Sequence, residues 1–329
     1  VWRESDPLYP HPPDGGRREA GPLRSQIHRK KAFKMNHPYK TRERGATVTV
    51  FVPYDCKNHC PFCINKEEYA DMTGFSLEKI CESIGRMDNI SPRCDFVFTG
   101  GEPFANLEAF QIMMDAVPPT HKIYINTTLP VSTDQPEETV LDFIERNMRK
   151  IACINVSRHL QHYVVESNDS LLAKLPVPFR VNCVLYENYP VDQLVPYLER
   201  FRKIPGASIQ FRFDYTATTQ ENLYDEENDK ILRDLKRVAK YTGLDGCRMR
   251  CGFHFDYKGM ELMYHKTLPY STIVETDPKD GVTYDILYDI LIKQTGDIHS
   301  DWDGTPLDVD AYGKAVFEPY DLKWLTRST

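Results

Sequence analysis

The stretch TVTVFVPYDCKNHCPFC, residues 47–63, joins a short β-type run to a tight cysteine loop. Its first half alternates threonine with apolar residues, as half-buried strands do. Its second half places Cys56, Cys60 and Cys63 within eight residues, at the spacing C-x3-C-x2-C. Three thiols cannot all form disulfides with one another, so we expect a ligand other than a thiol to hold them.

Thiolate sulfur suits zinc, Cu(I) and iron–sulfur clusters. A structural zinc normally takes four protein ligands. This loop supplies three, and His59 stands adjacent to Cys60, where it is poorly placed to be the fourth. Three thiolates on a four-iron cluster would leave one iron open to a ligand from outside the protein. A zinc site stays an alternative at this point.

Beyond the loop, β-branched or aromatic runs alternate with helical patterns, which is typical of repeated βα units and a parallel sheet. The predicted strands are 47–54, 95–99, 122–127, 150–157, 179–186 and 207–213. The predicted helices are 76–88, 107–117, 136–148, 167–175, 191–203 and 225–243, the last capped by Gly243. Six such units predict an open barrel with its functional groups at the carboxyl ends of the strands.

Composition divides the chain into three regions. Residues 1–45 form an arm rich in Pro, Gly and basic residues. Its segment 28–44 is either a solvated basic surface or a segment that holds a phosphate or carboxylate of a substrate. Residues 46–243 carry the barrel pattern, and residues 244–329 form a C-terminal extension that we expect to cover the sheet.

Charge and hydropathy disfavour several classes of protein. The net charge of -7 and the pI near 5.8 give no overall attraction to nucleic acid, which is therefore an unlikely partner. No apolar run reaches the roughly 18 residues of a membrane span, and the first thirty residues lack a signal-peptide core. The nine scattered cysteines indicate reduced thiols. We expect a cytoplasmic protein with no membrane partner.

The cysteine loop is followed by GGEP at residues 100–103, directly after the second predicted strand. With Phe62 as the aromatic residue before the third cysteine, the chain resembles radical S-adenosylmethionine (radical SAM) enzymes over residues 47–213. The resemblance implies a partial (β/α)6 barrel of the TIM type, with a 4Fe–4S cluster held by Cys56, Cys60 and Cys63. It also implies reductive cleavage of S-adenosylmethionine (SAM) to a 5'-deoxyadenosyl radical that abstracts hydrogen from the substrate.

The same resemblance implies roles for residues near the cysteine loop. Gly100 and Gly101 would let the backbone approach the methionine amino group of SAM closely. Glu102 would add a negative charge nearby, with Pro103 completing the motif. Phe62 would pack against the adenine.

Further roles fall on the later strands. Ser157 and Arg158 would bind the SAM carboxylate, the guanidinium offering a two-pronged donor. Asn182 matches a position used for the ribose hydroxyls. Asn126 and Arg212 are candidates for SAM contacts as well, although Asn126 could merely close a turn and Arg212 could form a surface ion pair.

Two C-terminal segments leave alternatives open. The segment CRMRCGFH contains Cys247, Cys251 and His254, which could hold a metal or end a helix with buried thiols. Cys247 and Cys251 are also candidates for a hydrogen donor that quenches the product radical. The acidic segment 295–304 is either a surface turn or a substrate-binding loop.

The reaction after radical formation is not encoded in a motif. We expect a small polar substrate, such as a nucleotide, a sugar or an amino-acid derivative, and an electron donor such as flavodoxin or ferredoxin. The alternatives are a peptide- or RNA-modifying radical SAM enzyme and, in another class, a non-catalytic iron–sulfur or zinc protein.

Overall fold

The structure is a computed structural model. It describes residues 37–41, 45–52, 56, 58, 60–63, 74–90, 94–129, 135–160, 169–185, 188–213, 227, 229–244, 252–266, 272–277, 279–300 and 306–307.

The strands are β1 (Tyr39–Thr41), β2 (Thr47–Val52), β3 (Asp95–Gly100), β4 (Lys122–Thr127), β5 (Ile151–Ser157), β6 (Phe179–Leu185), β7 (Ile209–Phe213), β8 (Lys240–Leu244), β9 (Gly252–Tyr257), β10 (Met260–His265), β11 (Thr272–Thr276), β12 (Thr283–Leu287), β13 (Asp289–Ile292) and β14 (Ile298–His299). The α-helices are α1 (Leu77–Ile90), α2 (Leu107–Ala116), α3 (Glu137–Asn147), α4 (Leu194–Arg202) and α5 (Lys230–Val238). Short 3-10 turns occupy Pro103–Ala105, Asp169–Lys174 and Val191–Gln193.

The central sheet contains eleven strands in the order β14-β13-β2-β3-β4-β5-β6-β7-β10-β9-β8. Strands β2 to β7 pair in parallel and in chain order, and β13 and β10 extend them in parallel at the two sides. Only the outer strands β14, β9 and β8 of the described sheet pair antiparallel. All six predicted strands are present, and the expected α/β fold with a mostly parallel sheet is confirmed.

The two faces of this sheet differ in polarity. On one face, side chains such as Phe96, Phe98 and Phe211 are fully buried, and the Phe98 ring lies 5.2 Å from Phe110 of α2. The opposite face is polar and half-buried, and it carries Tyr124, Asn126, Asn155, Ser157, Arg180 and Asn182. Because strand side chains alternate between faces, the helices cover the apolar face and the polar face can line a site.

The predicted helix 225–243 is wrong after Val238. Helix α5 begins after Asp229, whose carboxylate accepts a hydrogen bond from the Leu232 N–H at 3.0 Å, and it ends at Val238. The next residues form β8, and Gly243, with φ +152°, lies at a register shift in the pairing with β9. Antiparallel pairing with the next strand, β9, overrides the local helical preference here. The predicted helix 167–175 is likewise a 3-10 turn.

The described strands of the C-terminal region divide between two sheets, since β11 and β12 form a three-stranded sheet with β1 and the others lengthen the central sheet. Strands β9 and β10 follow β7 at one edge, and β13 and β14 precede β2 at the other. The described part of the acidic segment 295–304 packs on α1, where the Ser83 hydroxyl donates to the Gly296 carbonyl at 2.6 Å. A Cβ on Gly296 would lie 2.5 Å from the Lys79 Cβ, so this turn is tightly packed. Residues 301–305 lie outside the described residues.

The end of the basic arm is part of the fold. Strand β1 pairs in parallel with β12, which also pairs with β11. The Lys40 ammonium donates to Asp277 Oδ2 at 2.6 Å, and its Nζ lies 3.8 Å from the Tyr284 ring centroid. Lys40 therefore neither faces solvent nor needs a substrate anion. Residues 1–36 lie outside the described residues.

None of the helices in the described ranges has the length and apolar content needed to span a bilayer.

Replacing Lys40 should destabilise the protein, because Asp277 would keep a buried carboxylate without its cation. The Lys40 and Asp277 side chains are only 10% and 8% exposed. We expect Lys40→Gln to lower the free energy of unfolding by about 3 kcal/mol in urea denaturation. The matched control is Lys174→Gln, whose exposed pair with Glu137 should be worth less than about 0.5 kcal/mol. Equal losses in the two variants would contradict the buried role of Lys40.

Candidate active site

The cysteine loop starts at the carboxyl end of β2. Cys56, Cys60 and Cys63 are half-buried thiols, and the Cys63 N–H donates to the Cys60 carbonyl at 3.1 Å. Burial raises the pKa of Cys56, and the negative charges of Glu102 and Cys63 raise it further. A thiolate at Cys56 therefore needs a positive partner, which a metal centre supplies.

The number of thiols in the loop favours a cluster over a single zinc ion. A structural zinc normally takes four protein ligands, and this loop supplies three thiols. A 4Fe–4S cluster held by three thiolates keeps one iron open to another ligand. The assignment of a cluster therefore rests on the C-x3-C-x2-C spacing.

The glycines of GGEP place β3 directly against β2. Gly100 is opposite Val52 in the pairing, and its φ is +120°. A Cβ on Gly100 would lie 2.6 Å from the Val52 carbonyl oxygen, and the Gly101 N–H donates to that oxygen at 2.8 Å. Gly100 is therefore required by the neighbouring strand, a reason that the sequence did not reveal.

The Glu102 carboxylate is a structural link between two strand ends. It is 1% exposed and accepts hydrogen bonds from Phe104 N at 3.2 Å, Thr127 Oγ1 at 2.6 Å, and Thr128 N and Oγ1 at 2.9 Å each. Pro103, also buried, begins the 3-10 turn that Glu102 caps. The charge predicted beside SAM is thus used by protein donors that join GGEP to the end of β4.

Arg158 is fully buried at the end of β5. Its Nη1 donates to the carbonyls of Thr128 and Ser157 at 2.8 Å each, and its Nη2 donates to the Leu129 carbonyl at 3.3 Å. The guanidinium therefore locks β5 to the turn after β4. Its predicted contact with the SAM carboxylate stays a prediction, and Ser157 remains half-buried on the polar face.

Asn182 carries an acceptor that suits a ligand hydroxyl. Its buried Oδ1 has no hydrogen-bond partner among the described residues. A buried carbonyl left without a donor costs about 1–3 kcal/mol, so a ribose hydroxyl would stabilise it. Asn126 Oδ1 already accepts from Asn155 Nδ2 at 2.9 Å. Arg212 is exposed on β7, opposite His265 of β10.

His159 is a site residue that the sequence analysis missed. Its ring lies 5.0 Å from the Phe62 ring in an edge-to-face contact, and its Nδ1 accepts from the Val184 N–H at 3.1 Å. Burial, helped by the Arg158 charge, lowers its pKa to about 3. The ring is therefore neutral at physiological pH and carries its proton on Nε2. Its position directly after Ser157 and Arg158 at a strand end was the available signal.

The second cysteine segment is only partly visible. Cys247 and Cys251 lie outside the described residues. His254 is half-buried on β9, with its Nδ1 3.7 Å from Glu261 Oε1. Gly252 pairs with His265 at the carboxyl end of β10, so β9 starts at the same edge of the sheet as the cysteine loop.

Gly100 should not tolerate a side chain. We expect Gly100→Ala to destabilise the protein by about 3 kcal/mol or more, since the positive φ and the contact with Val52 both oppose a Cβ. The control is Gly206→Ala, where φ is +76° and a Cβ meets nothing within 4 Å. That variant should lose only about 1–2 kcal/mol. Chemical denaturation of both variants measures the difference, and equal losses would refute the steric role.

Glu102→Gln tests the buried carboxylate. One of the two acceptor oxygens becomes an NH2 donor that faces the hydroxyl or N–H donors of Thr127 and Thr128. We expect a loss of about 2 kcal/mol in the free energy of unfolding. The control, Glu138→Gln on the exposed side of α3, should change it by less than about 0.5 kcal/mol. A neutral result at Glu102 would mean that its hydrogen bonds do not hold the turn.

Comparison with known proteins agrees with this geometry. The model of a family described as a 4Fe-4S single cluster domain matches residues 43–145, which include the cysteine loop and GGEP. A search of curated proteins gives no match.

Two solved structures are similar to this chain. Streptococcus suis SuiB is 12% identical, with a TM-score of 0.50 over 86% of this chain and 66% of that one. The structure of anSMEcpe with bound AdoMet and the Cp18Cys peptide is 17% identical, with a TM-score of 0.40 over 51% of each chain. The chain thus spans between half and two thirds of these two proteins, and identities this low bear on the fold alone. The cysteine triplet, GGEP, the 4Fe-4S family model and the shared fold together support a radical SAM enzyme.

Proposed function

We propose that this chain reductively cleaves SAM at a 4Fe–4S cluster and abstracts hydrogen from a small polar substrate. The observation that carries the proposal is that three half-buried thiols follow β2, whose last residue, Val52, accepts a hydrogen bond from Gly101 of GGEP. Carboxyl ends of parallel strands meet at one edge, so the thiols and the polar face belong to one site. When bound, the cluster and SAM supply an electron and a carbon radical that removes a substrate hydrogen.

In this site Cys56, Cys60 and Cys63 would hold the cluster through their thiolates, and three protein ligands would leave one iron available to SAM. The backbone at Gly100 and Gly101 provides the edge against which the methionine end lies.

The ribose end has its own polar group. Asn182 Oδ1 accepts from a ribose hydroxyl, since it is a buried acceptor with no partner among the described residues. Ser157, opposite Asn182 in the pairing of β5 with β6, donates to the SAM carboxylate. Arg158 and Glu102 act as positioning residues, because both bind the turn that follows β4.

Phe62 would pack against the adenine, and its own ring contacts His159 edge to face. Because the His159 imidazole is neutral, it can pack against the Phe62 ring without adding a positive charge near the positively charged sulfonium of SAM. The Nε2–H of His159 remains a donor for an adenine nitrogen or for a backbone carbonyl of the loop.

The substrate meets the polar face of the sheet. The half-buried asparagine side chains on this face can form hydrogen bonds with a nucleotide, a sugar or an amino-acid derivative. Cys251 and Cys247 are proposed hydrogen donors, because β9 starts immediately after Cys251 at the edge where the cysteine loop lies. A flavodoxin or ferredoxin would reduce the cluster. A peptide-modifying activity would show instead as cross-linked or oxidised peptide in mass spectra, and an RNA-modifying one as salt-sensitive RNA binding.

The test is anaerobic reconstitution followed by dithionite reduction with SAM. We expect the wild-type protein to show iron–sulfur absorbance and to form 5'-deoxyadenosine, and Cys56→Ala to lose both. The control is Cys81→Ala on α1, a half-buried thiol away from the loop, which should keep both. A wild-type protein that binds iron but forms no 5'-deoxyadenosine would favour the non-catalytic iron–sulfur alternative.

A further inference from the structure

A second feature of the polar face lies at the amino ends of the strands, opposite the cysteine loop. There a cavity of about 660 Å³ lies next to the first residues of β6, β7 and β10. Its lining includes Tyr124, Cys153, Arg180, Arg202, Lys258 and Glu261. The cavity is open to solvent over much of its boundary, and its volume lies in the range of roughly 300–1,000 Å³ found for small-molecule sites.

The basic side chains that line this cavity differ in whether they are paired with a carboxylate. Arg202 and Lys258 both bind the Glu199 carboxylate, at 2.9 Å and 2.6 Å. Arg180 is different, because its Nη1 donates at 2.6 Å to a neutral partner, Gln210 Oε1, and no carboxylate of the described residues pairs with it. Arg180 is half-buried, so its charge is only partly solvated. Such a guanidinium is stabilised by an anion.

The neighbours of Arg180 also suit an anion. The guanidinium has five N–H donors, of which the contact with Gln210 uses one. Asn155 stands opposite Arg180 in the pairing of β5 with β6, and it holds Asn126 through its amide. These amides add polar contacts. The cavity lining also contains the Glu261 carboxylate, which is 70% exposed and lies 3.7 Å from His254 Nδ1.

The position of Arg180 relates the cavity to the proposed SAM site. Asn182 is two residues farther along β6 on the same face, which is about 7 Å toward the cysteine loop. The lining of the cavity reaches Arg180 and Tyr124 on this face, so a molecule bound at Arg180 lies on the same face of the sheet as the proposed SAM site.

We propose that Arg180 binds the carboxylate or phosphate of a small-molecule substrate in this cavity. That the bound molecule is the substrate of the enzyme rests on the proposed function. Binding of an anion at Arg180 can be measured without any enzymatic reaction.

The experiment compares melting temperatures of the reconstituted protein in phosphate, in acetate and in chloride at equal ionic strength. We expect phosphate or acetate to raise the wild-type melting temperature by about 2 °C over chloride, and the arm with the larger rise identifies the anionic group. Arg180→Gln should remove the rise. Arg180→Lys keeps the charge but loses the two-pronged geometry, so it should keep only part of the rise.

The matched control is Arg202→Gln, which lines the same cavity but is paired with Glu199. It should keep the wild-type rise, including any general stabilisation by phosphate as a salt. An equal loss in Arg202→Gln, or a rise that Arg180→Gln and Arg180→Lys both retain in full, overturns the assignment. The absence of any rise in the wild-type protein also overturns it.

Formation of 5'-deoxyadenosine by the wild-type protein is measured on the same preparation. Its absence would refute the proposed SAM chemistry and leave the anion result standing. Its presence without a phosphate or acetate rise would refute the anion site alone.

Discussion

One turn held by two opposite buried charges fixes the carboxyl edge of the sheet. The turn after β4 donates to the Glu102 carboxylate through Thr127 and Thr128, and its carbonyls accept from Arg158. Leu129, in the same turn, has a φ of +28°, which is unfavourable for a residue with a side chain. The backbone keeps this conformation because β3 and β5 hold it from both sides.

The cysteine loop depends on this edge at two places. At its start, Val52 accepts the Gly101 N–H, so the end of β2 cannot move independently of GGEP. Near its end, Phe62 rests on His159, which directly follows Arg158 and is bound to the Val184 N–H of β6. The loop is thus positioned by β3, β5 and β6, although its three thiols come from one short segment. A motif that reads as local in the sequence is held by non-local contacts.

Much of the fold was predictable because its signal is local. Strand β4 matches the predicted residues 122–127, and the other five predicted strands differ from the observed ones by one or two residues at an end. Alternation of apolar and polar residues needs no knowledge of partners. The last five residues of the predicted helix 225–243 were wrong because β8 forms by pairing with β9. Its isolated sequence gives no sign of that partner.

For the candidate site, too, the local features were predictable from the sequence and the non-local contacts were not. The cysteine spacing and GGEP identified the elements that meet, yet a strand-end residue can face a ligand or a neighbouring strand, and spacing does not separate the two. Glu102 and Arg158, both predicted as SAM contacts, have their polar groups directed at protein atoms.

Arg180 is the converse case. It sits inside a strand whose alternate residues are apolar, so in the sequence it resembles an ordinary surface-facing position. Only the three-dimensional arrangement shows that its neighbours are amides, and that the nearby cations Arg202 and Lys258 already share Glu199. A buried charge that is fully hydrogen-bonded or paired within the protein stabilises the fold, whereas one without such partners can bind a ligand. Arg158 is compensated by carbonyls of its own fold, and Arg180 has a single neutral partner among the described residues, which makes it the better candidate for recognition.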